Sequence, residues 1–341
     1  MPEFIKYPSI EQFRNTVRSV THTAQYQGQD ENGEPVMDRN ATMPTVSFRG
    51  TVKLHGTNAG VCMDTETGEI WAQSRKNVIT PTKDNAGFAF FVETNKDKFR
   101  EILELYAGDI GVQGKIITIF GEWCGGNIQK GVGICELDKM FVIFGVKLDD
   151  NWYPVEPEFC SEDHSIHAIV NFPTYELEID FREPALSVEK LQELTFAVEE
   201  ECPVAKQLGA SGIGEGIVWQ GRYKDQIFTF KVKGEKHSAS KVKTLAAVDV
   251  EKVNSIHSFV EYAVTENRLN QAVEQVFTIE GAEPEIKRMG DFLRWIMSDI
   301  VKEESDTLAA SGLEPKDVGR SVSNKAREWF IEYLDKEVMN G

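Results

Sequence analysis

The chain has 341 residues, with 37 Lys and Arg against 55 Asp and Glu, a formal charge of −18 and a pI near 4.9. A content of 41% hydrophobic and 27% charged residues excludes a chain disordered throughout. No stretch reaches the roughly 18–20 apolar residues of a membrane span, and the opening MPEFIKYPSIEQF lacks the basic start and apolar run of a secretory signal. The five cysteines (Cys62, Cys124, Cys135, Cys160, Cys202) are odd in number and never spaced as CxxC. They point to free thiols in a reducing cytoplasm and away from a structural zinc site. At roughly 100–200 residues per domain, the length fits two domains.

PSIEQFRNTVRSV reads as a short helix with Ser9 as cap and Phe13, Val17 and Val20 on one stripe. Residues 23–42 are polar and rich in turn formers, a hairpin or loop excursion. From Pro44 the pattern is β: TVSFRGTVKLHG, then GVCMDTETGEIWAQS, with TETGE as a tight turn. Residues 89–108 have helical periodicity and end in glycine. KIITIFGEWCG and MFVIFGVKLDDNWYPV return to strands, 185–208 reads as a helix, and GEGIVWQGRYKDQIFTFKVKG is a β-pair. Strands adjoin strands without a helix after each, so the fold class expected over 1–245 is α+β with mainly antiparallel sheets and flanking helices. Three helical runs follow, punctuated by Gly281, Pro284, Gly312 and Pro315, and define a small all-helical C-terminal domain over 246–341.

The chemistry concentrates in TVKLHGTNAGV. Lys53 ends a β-like run, and Gly56 three residues later lets backbone approach a ligand closely. Burial and nearby cations lower a lysine's pKa and leave a nucleophilic amine. Taken alone, Lys-x-x-Gly describes an ordinary surface lysine at a strand end better than a nucleophile. Downstream, Lys231 and Lys233 alternate with Val232, so both amines face one side of a strand and can form an anion site. Glu215 stands between glycines before Ile217-Val218-Trp219, and Glu122 follows four apolar or β-branched residues and a glycine. Each is a carboxylate at a strand margin, which can be incidental. Phe144, one of 20 phenylalanines, reads by itself as core.

Taken in order, these residues resemble the covalent nucleotidyltransferase superfamily, whose lysine lies in Lys-x-(Asp/His)-Gly. The nearest resemblance is to the RNA ligase 2 family, the phage and kinetoplastid double-strand RNA ligases, where His replaces Asp and Thr-Asn follows, as in Lys53-Leu54-His55-Gly56-Thr57-Asn58. The resemblance covers most of residues 45–243. It implies that Lys53 is the nucleophile carrying AMP, with His55 beside it and Leu54 and Asn58 in the nucleotide site. Arg75 in WAQSRKN would contact the nucleotide or the phosphate donor, Glu122 the ribose hydroxyls, and Phe144 would stack on adenine. Glu215 is the glutamate linked to a divalent metal, with Glu122 a weaker candidate, and Lys231 and Lys233 would meet the α-phosphate. Val52 departs from the glutamate that the phage ligases carry before the lysine.

The implied activity is ATP-dependent joining of RNA 3′-OH and 5′-phosphate ends, at nicks in duplexes, with ATP as AMP donor and Mg²⁺ or Mn²⁺ as cofactor. A monomer, without a membrane partner, is expected in the cytoplasm, of a host cell if the gene is a phage's. The alternatives are an ATP-dependent DNA ligase or mRNA capping enzyme, both of which usually append an OB-fold where this tail is helical, or an idle relative that binds proteins. No GxxxxGK[ST] P-loop is present.

A net charge of −18 argues against non-specific nucleic-acid binding only on average. Residues 222–243 carry seven cations and two anions, the footprint of a phosphate-binding cleft, while Glu199-Glu200-Glu201 and much of the tail are acidic. Arg75, Lys76, Lys241 and Lys243 are candidates for RNA contact. In the tail, Arg320, Lys325 and Arg327 are weaker ones, since cations near helix ends are common.

Overall fold

A computed structural model describes residues 2–111, 115–237, 256–277 and 282–340. In chain order the elements are β1 (Glu11–Gln12), α1 (Phe13–Gln25), β2 (Tyr26–Gln29), β3 (Pro35–Met37), β4 (Thr45–Lys53), β5 (Thr57–Asp64), β6 (Ile70–Ser74), β7 (Val78–Ile79), α2 (Phe88–Thr94) and α3 (Lys96–Ile110). There follow β8 (Ile116–Cys124), β9 (Met140–Leu148), β10 (Asn151–Tyr153), β11 (Ile166–Ala168), β12 (Thr174–Asp180), α4 (Val188–Glu200), α5 (Pro203–Gln207), β13 (Gly216–Tyr223) and β14 (Gln226–Lys233). The helices α6 (Ile256–Ala263), α7 (Glu266–Val276), α8 (Met289–Ala310) and α9 (Pro315–Asn340) complete the chain. The fold class is α+β followed by an all-helical C-terminal region, as expected. The boundary expected at residue 245 lies outside the described residues, as does Gly281. No helix among the described residues is long and apolar enough to cross a membrane.

The chain divides into two units, neither continuous in sequence: Met1–Ser9, Gly50–Tyr175 and Ala197–Ile217 in one, and Ile10–Arg49, Glu176–Phe196 and Val218–Gly341 in the other. The first is built on a sheet of order β10-β9-β8-β5-β6-β7, with β11 added parallel to β9. β5 pairs antiparallel with both β6 and β8, which sets Asn58 opposite Glu122. The alternation of Val61, Met63, Ile117 and Ile119 buries one sheet face beneath α2 and α3, whose Phe88, Phe99 and Leu103 are fully enclosed. The single helix expected over 89–108 is two helices broken at Asn95, and the second runs through Gly108 to a left-handed Gly111. All five cysteines are free, and only Cys160 is more than marginally accessible.

In the second unit the sheet order is β1-β14-β13-β4-β12. Helix α1 lays Phe13, Thr16, Val20 and Ala24 inward, so Thr16 takes the place expected of Val17. Phe13 packs on Phe230, which also meets Phe48 and Trp219. Ser9 is not the cap. The chain first pairs Glu11 and Gln12 in parallel with Phe230 and Lys231, and the helix starts after Gln12 with no side-chain cap. The excursion over 23–42 holds the β2–β3 pair after the last turn of α1. The run at 185–208 is interrupted by Pro203, and the first tail run is split into α6 and α7 by Thr265, whose hydroxyl caps α7 through Arg268 N–H. The tail has its own core of Phe259, Phe277, Phe292 and Phe330.

Candidate functional site

β4 alternates its faces through its length. Val52 and Leu54 are 3% and 5% exposed, which leaves Lys53 and His55 on the opposite side. The Leu54 side chain is therefore turned into the core, away from the face that carries Lys53 and His55. The loop after the strand lies against the end of β8. A Cβ on Gly56 would stand 2.5 Å from the Trp123 carbonyl oxygen and 2.7 Å from Cys124 Cβ, so only glycine allows this approach. The Gly56 N–H faces the Glu122 carboxylate closely enough to favour its ionised form.

Glu215 reaches the same place from the far side of the sequence. Gly214 N–H donates to the Val198 carbonyl at 2.9 Å, and a Cβ there would fall 2.6 Å from that oxygen. Gly216 has φ +149°, open to glycine, and Ile217 and Trp219 then run into the core. The carboxylate between the two glycines is 2% exposed. Its Oε2 accepts from Lys53 Nζ at 2.6 Å and lies 3.2 Å from His55 Nδ1.

These charges set the behaviour of Glu122. Burial pushes its carboxyl from 4.5 to about 7; the Lys53 ammonium pulls it down, Glu215 pushes it up, and His55 and the Gly56 N–H pull it down. Lys53, His55, Glu122 and Glu215 thus form one electrostatically coupled group, with Asn58 across the strand pair from Glu122.

Beside it stands an aromatic patch that sequence reasoning missed in part. Phe144 is half-buried on β9, its ring 5.2 Å from Tyr7, which also meets Phe120 and Trp152. The Arg75 guanidinium lies 5.7 Å from the Tyr7 ring centroid and donates through both terminal nitrogens to the Pro8 carbonyl at 3.3 Å. Burial raises the Tyr7 hydroxyl to about 12, with Arg75 opposing and Glu122 adding to the rise. Burial also lowers Arg75. Tyr7 is held there because Gln73 grips the main chain of Ile5 on both sides, at 3.0 and 2.6 Å, and Trp71 Nε1 donates to the Glu3 carbonyl. No periodicity marks residues 3–8; only the aromatic Tyr7 itself could have drawn attention.

Lys231 and Lys233 alternate with the buried Val232 on β14, so they share a face as expected. Lys231 makes an ion pair with Glu303 of α8 at 2.8 Å. Lys76 is exposed at the end of β6, and Lys241 and Lys243 lie outside the described residues. On α9, Arg320 and Arg327 are exposed, while Lys325 is paired with Glu261 at 2.7 Å.

Among the described residues no three His, Cys, Asp or Glu side chains enclose a cation. Glu215, with Glu122 close enough to feel its charge, nonetheless fits Mg²⁺ or Mn²⁺, because such ions take one or two carboxylates and complete their shells with substrate phosphates and water.

An RNA ligase family model matches residues 47–233, more than half of the chain, and this span contains Lys53, Arg75, Glu122, Phe144, Glu215, Lys231 and Lys233. Solved structures of Naegleria gruberi RNA ligase also match. A variant with ATP and Mn is 16% identical, covering 69% of this chain and 58% of that one, with a TM-score of 0.41. The same ligase with PPi gives 16%, 68%, 57% and 0.41, and a second variant with ATP and Mn 16%, 69%, 57% and 0.43. The chain spans under two thirds of the length of those ligases. By the family match over 47–233, the chain belongs to the RNA ligase family.

Proposed function

We propose that this protein is an ATP-dependent RNA ligase of the RNA ligase 2 type, sealing 3′-OH and 5′-phosphate ends at nicks in duplex RNA. The observation that carries the reading is the convergence of Lys53, His55 and Glu215, with Glu122 coupled to them, in the unit that also holds the Tyr7–Phe144 aromatic patch.

Lys53 Nζ attacks the α-phosphorus of ATP. A P–N bond forms, the bond to the β-phosphate bridging oxygen breaks, and pyrophosphate leaves. The proton on Nζ has an acceptor in Glu215 Oε2, 2.6 Å away, from which it passes to solvent. Phe144 stacks on adenine, and Arg75 and Asn58 contact the nucleotide. Glu122 accepts from the ribose hydroxyls. Lys231 and Lys233 offset charge on the transferring phosphate. AMP then moves from Lys53 to the RNA 5′-phosphate, and the 3′-OH attacks that phosphorus and expels AMP. Glu215 and Glu122 would hold a divalent cation, which when bound neutralises phosphate charge. The helical tail, over 246–341, engages the RNA as a domain distinct from the adenylyltransferase domain over 1–245. The enzyme works as a monomer.

The test is incubation with α-labelled ATP and Mg²⁺. Label should stay on the denatured protein through alkali, be released by warm acid as a P–N bond requires, and be missing in Lys53→Met. No adduct sinks the reading, and an adduct with GTP alone would make the protein a capping enzyme. Duplexes with RNA or DNA on either side of a nick then identify the polynucleotide, and sealing of DNA nicks alone would favour a DNA ligase.

A further inference from the structure

Lys231 does not stand alone on its strand face. β1 is only two residues long, yet it places Gln12 in register beside Lys231 on β14. The two side chains hold one carboxylate: Lys231 Nζ donates to Glu303 Oε1 at 2.8 Å and Gln12 Nε2 donates to Oε2 at 2.8 Å, while Lys302 Nζ stands farther off, 3.5 Å from Oε1. A carboxylate held at both oxygens cannot rotate without losing a partner. Its main chain is held as well. The Glu303 carbonyl accepts from Arg14 Nη2 at 2.7 Å and from Gln12 Nε2 at 3.3 Å. The regular helix ends its claim on that stretch because Glu304 leaves helical geometry, at φ −120° and ψ 16°.

The two neighbouring acids have separate tasks. Glu304 turns into a buried network with Arg14, Arg268 and Tyr262, the usual setting of a structural charge. Glu303 turns instead to one of the two lysines on which phosphate binding is proposed to rest. Burial drives the Lys231 ammonium toward its neutral form, and the charges of Lys233 and Lys302 push the same way. Glu303 is the group that opposes them.

We propose that Glu303, assisted by Gln12, is a positioning residue for the ligase reaction: it fixes Lys231 on the face it shares with Lys233 and keeps it cationic for the transferring phosphate. This rests on the reading of Lys231 as a phosphate-facing lysine. Glu303 itself touches neither nucleotide nor RNA.

The experiment measures adenylylation of the full chain with α-labelled ATP across ATP concentrations. Glu303→Gln keeps the shape and the main-chain contacts but removes the charge. It should lower the rate at saturating ATP about tenfold, Glu303→Asp should recover part of that loss, and Gln12→Met should lower the rate about threefold. In a Lys231→Met background, Glu303→Gln should change nothing further. Three results would overturn the proposal: an unaltered rate in Glu303→Gln, a higher rate at low ATP, which would make the carboxylate a competitor of the phosphates, or an equal loss with Lys231 already removed. If Glu303→Gln melts at a lower temperature, Gln12→Met supplies the same comparison. A wild-type protein that takes no label would defeat the ligase reading itself, whereas a labelled wild type with an indifferent Glu303→Gln defeats only the positioning role.

Discussion

Lys53 Nζ and Glu215 Oε2 stand 2.6 Å apart although 162 residues separate them, and the carboxylate is 2% exposed. An enclosed carboxylate that loses its cation keeps its desolvation cost without the compensating attraction. Lys53→Met should therefore lose adenylylation entirely and also be destabilised, by roughly 1–3 kcal/mol because His55 remains as a partner. Lys53→Met combined with Glu215→Gln should recover part of that loss. Urea unfolding of both variants measures it, and an additive double variant would show that the pair is not coupled.

Glu122 predicts a pH dependence of stability. Its carboxyl is raised to about 7 in the folded protein, against 4.5 ordinarily. Between those values the folded protein keeps a proton that the unfolded chain has released. Its contribution is therefore greatest at and below pH 4.5, declines as pH rises toward 7, and stays low above that. The span amounts to roughly 3 kcal/mol. Glu122→Gln should unfold at higher urea than wild type at pH 8 and show little difference near pH 4.5, measured with chelator present. A difference that is constant with pH would contradict the assignment.

The glycines separate by what surrounds them. On Gly56 a Cβ would collide with the Trp123 carbonyl, whereas on Gly108, inside α3, it would meet nothing within 4 Å. Gly56→Ala should abolish adenylylation and cost several kcal/mol, at or above the roughly 1–3 usual for overpacking. Gly108→Ala should leave activity intact and stabilise by about 0.5–1 kcal/mol, since a helix interior favours alanine. Thermal melts with the labelling assay distinguish them.

How much of this was legible in the chain follows from range. The alternations in β4, β8 and β14 and the turn between β5 and β6 are local, so the strands and the placement of Lys53, Glu122 and Lys231 on them could be read directly. The family resemblance supplied the grouping of those residues; their spacing did not. What escaped depends on partners far away. Tyr7 is aimed by Gln73 and Trp71, 68 residues beyond the main chain they bind. Ser9 lost the cap because β14 draws Glu11 and Gln12 into a strand. The grip of Glu303 on Lys231 spans 72 residues, and an acid in a run of acidic residues gives no hint of it.

The Arg268 cluster carries a stability prediction of its own. This side chain is fully buried and bonds Asp299 at 2.8 Å, Glu304 at 3.2 Å and the Ala263 carbonyl, while Arg14 and Tyr262 close on Glu304 at 3.1 and 2.7 Å. Arg268→Ala leaves Glu304 and Asp299 under-compensated and should cost about 3–5 kcal/mol. Tyr262→Phe removes one bond to a charged group and should cost about 1.5–3 kcal/mol. Because Arg14 belongs to α1, hydrogen exchange should accelerate in α1 together with the tail helices. Acceleration confined to α6–α8 would show that the network does not tie them.

Salt dependence tests the charge segregation. If the protein seals RNA as proposed, a chain at −18 must hold it by local cations, so affinity should fall steeply as salt rises. Arg320 and Arg327 are exposed on α9, whereas Lys325 already neutralises Glu261. If α9 meets the backbone, Arg320→Ala and Arg327→Ala should each weaken binding and reduce the slope of log K against log salt by about one. Lys325→Ala should change the slope much less, because its charge is shared with a carboxylate before RNA arrives. Filter binding of a nicked RNA duplex from about 50 to 200 mM salt measures all three. A slope unaltered by either arginine change would remove α9 from the interface and leave RNA binding to the cationic run around β14.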